Sequence, residues 1–215
     1  LSLKLKLLFL RCLSEMMMNT NKKVTLQHMQ DMAEKYGIHH VASLQAVHEV
    51  ECRGNGFNGD GTPVILFERH IFRQRLTANK KFTALAKAEK ERPDLCNKNA
   101  GGYGLYSQQH QRLASAANYD RNSALESCSW GIGQVMGYHW LSLGYVSLQE
   151  FINEMYKGEA TQLDAMCRYI KVNRLINALN NQDWKAFAKG YNGIAYAKNK
   201  YDIKLANAFK KFNQV

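Results

Sequence analysis

The feature that most constrains the fold is a helical segment that ends against a cluster of glycines. Residues 38–52 carry apolar side chains at helical spacing, and residues 53–62 contain four glycines with Asn and Asp between them. A short apolar run, residues 64–67, follows. Glycine- and Asn-rich turn residues before an apolar run are typical of a turn and a strand. We therefore predict a small β-hairpin directly after this helix.

The rest of the chain has a mostly helical pattern. Gly37 is expected to end a helix over residues 24–36, and Pro93 ends a charged helical stretch. Ser147 and Glu150 have the spacing of a capping box. Further helices are predicted over residues 107–118, 120–128 and 159–180, with two glycine-rich loops at 97–106 and 130–134. The fold class predicted is α+β, predominantly α, in a single domain.

Composition excludes several classes of protein. The chain has 215 residues, 46% of them hydrophobic, and only two prolines, which argues for a globular core and against disorder. No apolar stretch approaches the ~20 residues that span a bilayer. The five cysteines include no CxxC pair, so they are expected to be small buried residues rather than zinc ligands. We predict no metal and no cofactor.

The N-terminus resembles a signal peptide only superficially. Lys4 and Lys6 precede an apolar run that Arg11 interrupts, and the run is shorter than the usual ~7–15 residues. We predict that residues 1–23 are a disordered N-terminal extension and that the folded domain comprises residues 24–215.

The charge predicts an anionic partner. The formal net charge is +11, which suits nucleic acid, an anionic membrane or an acidic polymer such as a bacterial cell wall. A nucleic-acid-binding module is the least favoured, because the sequence has no helix-turn-helix, zinc-finger or RNP-like pattern. Seven lysines and a single acid, Asp202, lie near the C-terminus: Lys185, Lys189, Lys198, Lys200, Lys204, Lys210 and Lys211.

One carboxylate stands out. On a helix that turns about 100° per residue, Glu51 lies on the same face as Leu44 and Val47, whereas Glu49 faces the other way. Burial on that face should raise the pKa of Glu51, since it disfavours the charged form. A protonated carboxyl group is what a glycosidase needs as general acid. The alternative is a helix-terminal Glu whose head is simply solvated.

Two other acids could provide a second carboxylate. Asp60 lies among the turn residues and is more typical of a turn-former through a hydrogen bond to its own backbone. Glu68 directly follows the predicted strand and could equally begin the next helix or pair with an arginine. Spacing along the chain does not give the separation of the carboxylates, which distinguishes retaining from inverting hydrolysis.

Four segments together resemble the N-acetylmuramidase family of bacteriophage endolysins: residues 46–57, 65–72, 127–137 and 183–193. The resemblance covers the chain from about Thr25 to Phe212. It implies a lysozyme-like fold and cleavage of the β-1,4 bond between N-acetylmuramic acid and N-acetylglucosamine in peptidoglycan. A lytic transglycosylase, which cuts the same bond with one glutamate and forms an anhydro product, remains the alternative.

The resemblance also implies roles for individual residues. Glu51 matches the catalytic glutamate, and Cys52 stands where relatives usually have Ser or Thr. A thiol is a weaker hydrogen-bond donor than a hydroxyl group. Substrate binding is implied for four residues: Glu68, Gln134, Tyr191 and Asn192. The Gln134 amide is expected to orient a substrate N-acetyl group or the glutamate.

The partners expected are peptidoglycan glycan strands and, through the C-terminal lysines, an anionic wall or outer-membrane surface. No nucleic acid is expected, and the chain is predicted to be a monomer. The resemblance further implies accumulation in the host cytoplasm before lysis, with a holin releasing the enzyme to the periplasmic peptidoglycan.

Overall fold

A computed structural model describes residues 22–52 and 54–214. Most of the predicted extension, residues 1–23, therefore lies outside the described residues, as does Cys12. Lys22 and Lys23, the last two residues of the predicted extension, contact the folded domain. The Lys22 carbonyl oxygen accepts a hydrogen bond from the Glu159 backbone over 2.7 Å, and the Lys23 ammonium group lies 3.0 Å from the Glu159 carboxylate.

The structure is predominantly helical with one small antiparallel sheet, which confirms the predicted fold class. The helices are α1 Leu26–Tyr36, α2 Val41–Glu51, α3 Arg69–Ala78, α4 Phe82–Glu91, α5 Gln109–Ala117, α6 Arg121–Glu126, α7 Leu148–Lys157, α8 Glu159–Val172, α9 Ile176–Asn180, α10 Trp184–Asn192 and α11 Tyr201–Phe212. The strands are β1 Ile65–Phe67, β2 Cys128–Trp130 and β3 Val135–Met136. Short 3-10 turns occupy Tyr106–Gln108, Gly137–His139 and Ile194–Asn199.

The sheet corrects the predicted position of the hairpin. Strand β1 pairs with β2, and β2 turns back into β3 through the second glycine-rich segment. Directly after α2 there is only an isolated bridge between Phe57 and Pro63. That loop closes on itself because Asn58 and Asp60 both bond to Thr62, whereas the partner of β1 comes from a distant part of the chain.

The helix ends follow local chemistry, with two differences from the predictions. Gly37 adopts a left-handed conformation with φ of 70° and ends α1, as predicted. Ser147 caps α7 by accepting a hydrogen bond from the Glu150 backbone, but the Glu150 carboxylate bonds to Val146 rather than to Ser147. The predicted helix over residues 159–180 is interrupted between α8 and α9, where Arg174 has φ of 60°.

Helix α2 is packed on two sides. Leu44 and Val47 are fully buried in the main core. On another face, Ala42 and Ala46 form a second cluster with Phe209 of α11. The alanines have small side chains, so α11 can lie close to α2, and burying an aromatic ring of this kind contributes about 1.5–3 kcal/mol. The two contacts together hold α2 between the main core and α11.

The described cysteines are all buried and free: Cys52, Cys96, Cys128 and Cys167. Burial raises the pKa of Cys96 to about 11 and that of Cys128 well above its ordinary value. These four thiols are therefore protonated apolar core residues, as the sequence predicts.

Candidate active site

A cleft of about 250 Å³ opens at the C-terminal end of α2. Its lining comes from α2, from the segment around β3, and from α8 and α10: Glu51, Gly133, Gln134, Val135, Met136, Tyr138, His139, Tyr169, Tyr191 and Asn192. Among these described lining residues, Glu51 is the only carboxylic acid.

Glu51 is the last residue of α2 and is half-buried. It follows the buried Leu44 and Val47 on the same face, as the helical spacing predicts. Asn192 donates a hydrogen bond from Nδ2 to Glu51 Oε1 over 2.9 Å. Glu49 is exposed, as predicted, and forms an ion pair of 2.6 Å with Lys211. Only Glu51 of these two carboxylates therefore faces the cleft.

Two neighbours of Glu51 are held neutral. Burial raises the pKa of the Cys52 thiol far above its ordinary value, and the Glu51 charge raises it further. The pKa of the Tyr191 phenol is likewise raised by burial and then by Glu51. Neither group therefore competes with Glu51 as an anion near neutral pH.

Tyr191 belongs to an aromatic wall of the cleft. Its ring stacks on Phe187 with centroids 5.4 Å apart and meets Tyr169 edge-on at 5.5 Å. Such contacts fix the ring plane. The structure thus brings Tyr191 and Asn192, both predicted from the sequence, to the cleft beside Glu51.

Gln134 lines the cleft, but its amide bonds within its own turn. The residue has φ of 46°, its Nε2 donates to the Gly131 carbonyl over 2.8 Å, and its Oε1 accepts from Ser129 Oγ over 2.8 Å. The amide therefore stiffens the β2–β3 turn.

Glu68 is the predicted site residue that is not in the cleft lining. It is the residue before α3, and its carboxylate lies 3.6 Å from His70 Nδ1. Burial raises the pKa of Glu68, and His70 opposes the shift. Burial raises the pKa of the Tyr138 phenol, and the charges of Tyr169 and Glu68 raise it further. Glu68 therefore acts electrostatically on a residue of the cleft.

Asp60 has the turn role that the sequence predicts. Its carboxylate accepts hydrogen bonds from the backbone and the hydroxyl group of Thr62, at 2.9 and 2.7 Å. These bonds lower the pKa of Asp60, which is exposed.

Sequence reasoning missed three aromatic residues of the cleft, Tyr138, His139 and Tyr169. The His139 ring meets Tyr169 edge-on at 5.2 Å. Burial lowers the pKa of His139, with a further contribution from the Arg75 charge, so the imidazole is neutral near pH 7. The run of aromatic residues after Gly137 was the available signal. In the part of the chain that the structure describes, no three His, Cys, Asp or Glu side chains cluster closely enough to hold a metal ion.

Comparison with known proteins identifies the family of this chain. The family model described as Muramidase, N-acetylmuramidase, matches residues 40–213. The chain belongs to the N-acetylmuramidase family. A search of curated proteins gave no match. Among solved structures, the chain is similar to the crystal structure of Burkholderia AP3 phage endolysin, with 40% identity and a TM-score of 0.83. The match covers 90% of this chain and 73% of that one.

Membership of the N-acetylmuramidase family establishes the class of reaction. The chain is a lysozyme-type glycoside hydrolase that acts on peptidoglycan, as the resemblance implies. Neither comparison favours a lytic transglycosylase or a nucleic-acid-binding module.

Proposed function

We propose that Glu51 is the general acid that cleaves the β-1,4 bond between N-acetylmuramic acid and N-acetylglucosamine. Its protonated carboxyl group donates a proton to the glycosidic oxygen, which leaves with the N-acetylglucosamine residue as its 4-hydroxyl group. An oxocarbenium-like centre develops on the muramic acid carbon. Water adds there to give a new reducing end, and the proton that the water loses returns to the Glu51 carboxylate.

The observation that supports this role is the position of Glu51 in the cleft. Glu51 is the only acid among the described lining residues, and Asn192 holds one of its oxygens over 2.9 Å. A hydrogen bond to one carboxyl oxygen fixes the plane of the group. The aromatic wall around Tyr191 provides a flat surface on which a sugar ring can lie.

We assign Glu68 to substrate binding rather than to proton transfer. It lies outside the cleft lining, and its charge raises the pKa of the cleft residue Tyr138. Gln134, Tyr191 and Asn192 are the other substrate-side residues. In this scheme water, rather than a second carboxylate, completes the reaction.

The C-terminal lysines are proposed to draw the enzyme to the anionic envelope. The side chains of all seven are exposed on α10, α11 and the turn between them. Attraction between such a surface and anionic polymers is sequence-independent and weakens with salt. Proposed with it are a monomeric state, accumulation in the host cytoplasm and release by a holin. None of the described helices is long and apolar enough to cross a bilayer.

The test of the catalytic role compares two variants on the same helix. Glu51→Gln keeps the shape of the side chain and removes the proton, so it should abolish digestion of purified peptidoglycan while the melting temperature stays near that of wild type. Glu49→Gln is the matched control, because Glu49 is exposed and faces away from the cleft; it should retain activity.

Mass spectrometry of the wild-type products completes this test. Hydrolysis yields muropeptides with one water added and with N-acetylmuramic acid at the reducing end. Full activity of Glu51→Gln, or anhydro products from the wild type, would overturn the proposed mechanism.

A further inference from the structure

Two buried polar residues of α8 join two glycine-rich segments, the loop after α2 that contains Gly56 and the β2–β3 turn that contains Ile132. Glu159 and Gln162 are three residues apart, so they lie on the same face of the helix. Their exposed fractions are 3% and 1%. Neither residue is in the cleft lining. Buried polar groups of this kind are retained only when they are fully hydrogen-bonded.

Gln162 uses its whole amide group to join the two segments. Its Oε1 accepts a hydrogen bond from the Ile132 backbone over 2.9 Å. Its Nε2 donates to the carbonyl oxygens of Gly56, at 3.2 Å, and Met155, at 2.9 Å. Gly56 lies in the loop that follows Glu51, and Ile132 lies in the turn between β2 and β3. One side chain therefore connects the loop after the catalytic helix to the turn that carries Gln134.

Glu159 holds the other backbone group of Gly56. Its carboxylate accepts hydrogen bonds from the backbone of Gly56 at 2.8 Å and of Val24 at 3.0 Å, and from the Lys23 ammonium group at 3.0 Å. Burial by itself would raise the pKa of Glu159, but these bonds hold it below its ordinary value. Both the N–H and the carbonyl of Gly56 are thus bound by α8.

The glycines leave room for this contact. A Cβ atom at Gly56 would overlap the side chains of Gln162, Ile132 and Glu159, and one at Gly131 would overlap the Gln162 amide. Gly131 also has φ of 66°, a conformation that favours glycine. Gln162 is therefore packed directly between two backbone segments with no side chain in between.

We propose that Gln162, supported by Glu159, is a positioning residue that sets the distance between Glu51 and the β2–β3 turn across the cleft. This inference rests on the proposed role of Glu51 as the acid. Gln162 acts through the backbone at Gly56 and Ile132, and its bond to the Met155 carbonyl oxygen ties it to the end of α7. General acid catalysis depends on sub-ångström placement of the proton donor, and a displacement of about 1 Å can cost about 100-fold in rate.

The first test is Gln162→Met, which keeps the length of the side chain and removes its hydrogen bonds. We expect kcat on soluble peptidoglycan fragments to fall by about 10- to 100-fold, with KM changed less than about twofold. Asp164→Asn is the control on the same helix, since Asp164 bonds to Lys35, Tyr36 and Arg168 and not to the glycine-rich segments. It should lower the melting temperature and leave kcat unchanged when assayed well below melting.

A merely structural role of Gln162 predicts a different result. In that case both variants would lose stability and both would keep kcat in the folded protein. Wild-type kcat in folded Gln162→Met, or an equal loss of kcat in Asp164→Asn, overturns the proposal.

The second test, Gln162→Glu, uses a pH profile. The ionised carboxylate can accept from Ile132 but cannot donate to Gly56, whereas the protonated form can do both. Burial and the Glu159 charge should raise the pKa of the introduced carboxyl group. The kcat of Gln162→Glu, divided by the wild-type kcat at the same pH, should therefore rise as the pH is lowered.

The pH profile is expressed as a ratio to wild type because other charged or titratable groups lie nearby: Glu159, its partner Lys23, His48 and Cys52. A ratio that does not change with pH contradicts the proposal. Glu51→Gln is assayed in parallel: an active Glu51→Gln variant refutes the proposed acid, whereas an inactive one together with wild-type kcat in Gln162→Met refutes only the positioning role.

Discussion

The hydrogen bond between Asn192 and Glu51 joins residues 141 positions apart in the chain. Asn192 is the last residue of α10, and the following Gly193 has φ of 73°. The side chain that bonds to the proposed acid is therefore placed by the end of a helix, next to a glycine that allows the chain to turn. Asn192 should matter for the rate because it fixes the acid.

Asn192→Ala tests this contact. Loss of a hydrogen bond to a carboxyl group costs about 1.5–3 kcal/mol, so we expect kcat to fall by about 10- to 100-fold. The melting temperature should change little, because Asn192 is at the cleft surface. Steady-state assays on soluble peptidoglycan fragments measure kcat and KM. If KM alone changes, Asn192 contacts the sugar and does not orient Glu51.

Glu68→Gln tests the substrate-side assignment. If Glu68 binds substrate, the variant should raise KM about fivefold, the value of one hydrogen bond, and leave kcat nearly unchanged. Asp60→Asn is the control, since Asp60 is exposed and bonded within its turn; it should have wild-type constants. A complete loss of kcat in Glu68→Gln would instead make Glu68 a second catalytic carboxylate.

At the scale of helices and strands, local signals were sufficient for some elements and not for others. Gly37 and Ser147 mark helix ends through their own backbone or side-chain chemistry, and both were predicted correctly. The pairing of β1 with β2 was not predicted because strand pairing depends on residues far apart in the chain. The break after α8 falls at Arg174, which takes a left-handed conformation without the usual Gly signal.

The same distinction applies to the cleft. Glu51 could be identified from helical spacing, and Gln134, Tyr191 and Asn192 from the resemblance to the family. Tyr138, His139 and Tyr169 were missed: the aromatic run after Gly137 gave a signal for the first two, but only the folded chain brings that 3-10 turn against Tyr169 of α8. The contacts of Gln162 were likewise invisible, since a buried Gln in a helix has no sequence signature of its own.

Asp164 links α8 to α1 and should make stability depend on pH. Burial alone would raise its pKa, but hydrogen bonds from Lys35, Tyr36 and Arg168 lower it below the ordinary value. Its contribution to stability is therefore present above the pKa of the unfolded chain and is lost as the pH falls through the lowered pKa of the folded state.

Asp164→Asn should reduce the free energy of unfolding by about 2 kcal/mol at pH 7. The difference from wild type should shrink as the solution is acidified, because the wild type then loses the same interaction. Urea unfolding at a series of pH values measures this. A difference that stays constant down to acidic pH would show that the ionised carboxylate is not the stabilising group.

Over the whole molecule, the positive charge is unevenly distributed. Helix α11 presents its lysines to solvent while Phe209 packs against α2. The cationic surface is therefore built on a helix that also supports α2, the helix that carries Glu51. Substitutions that change its charge must leave this packing intact to be informative.

Two triple variants that remove the same charge from different surfaces show whether lysis depends on the position of the lysines or on net charge alone. Lys185→Gln, Lys189→Gln and Lys210→Gln together should reduce lysis of whole cells about tenfold at low salt, and the difference should vanish near 1 M salt. The control combines Lys87→Gln, Lys90→Gln and Lys98→Gln, which removes three exposed charges elsewhere. Equal losses in the two sets would make net charge, rather than the C-terminal surface, the cause.

The order of synthesis gives the contact between α2 and α11 a further consequence. A growing chain emerges from the ribosome with its N-terminal part first, so the segment that carries Glu51 is made well before Asn192 and α11. During that interval Glu51 lacks the Asn192 hydrogen bond, and α2 lacks one of its two packing partners. The cleft therefore takes its final arrangement only after α10 and α11 have been made and have docked.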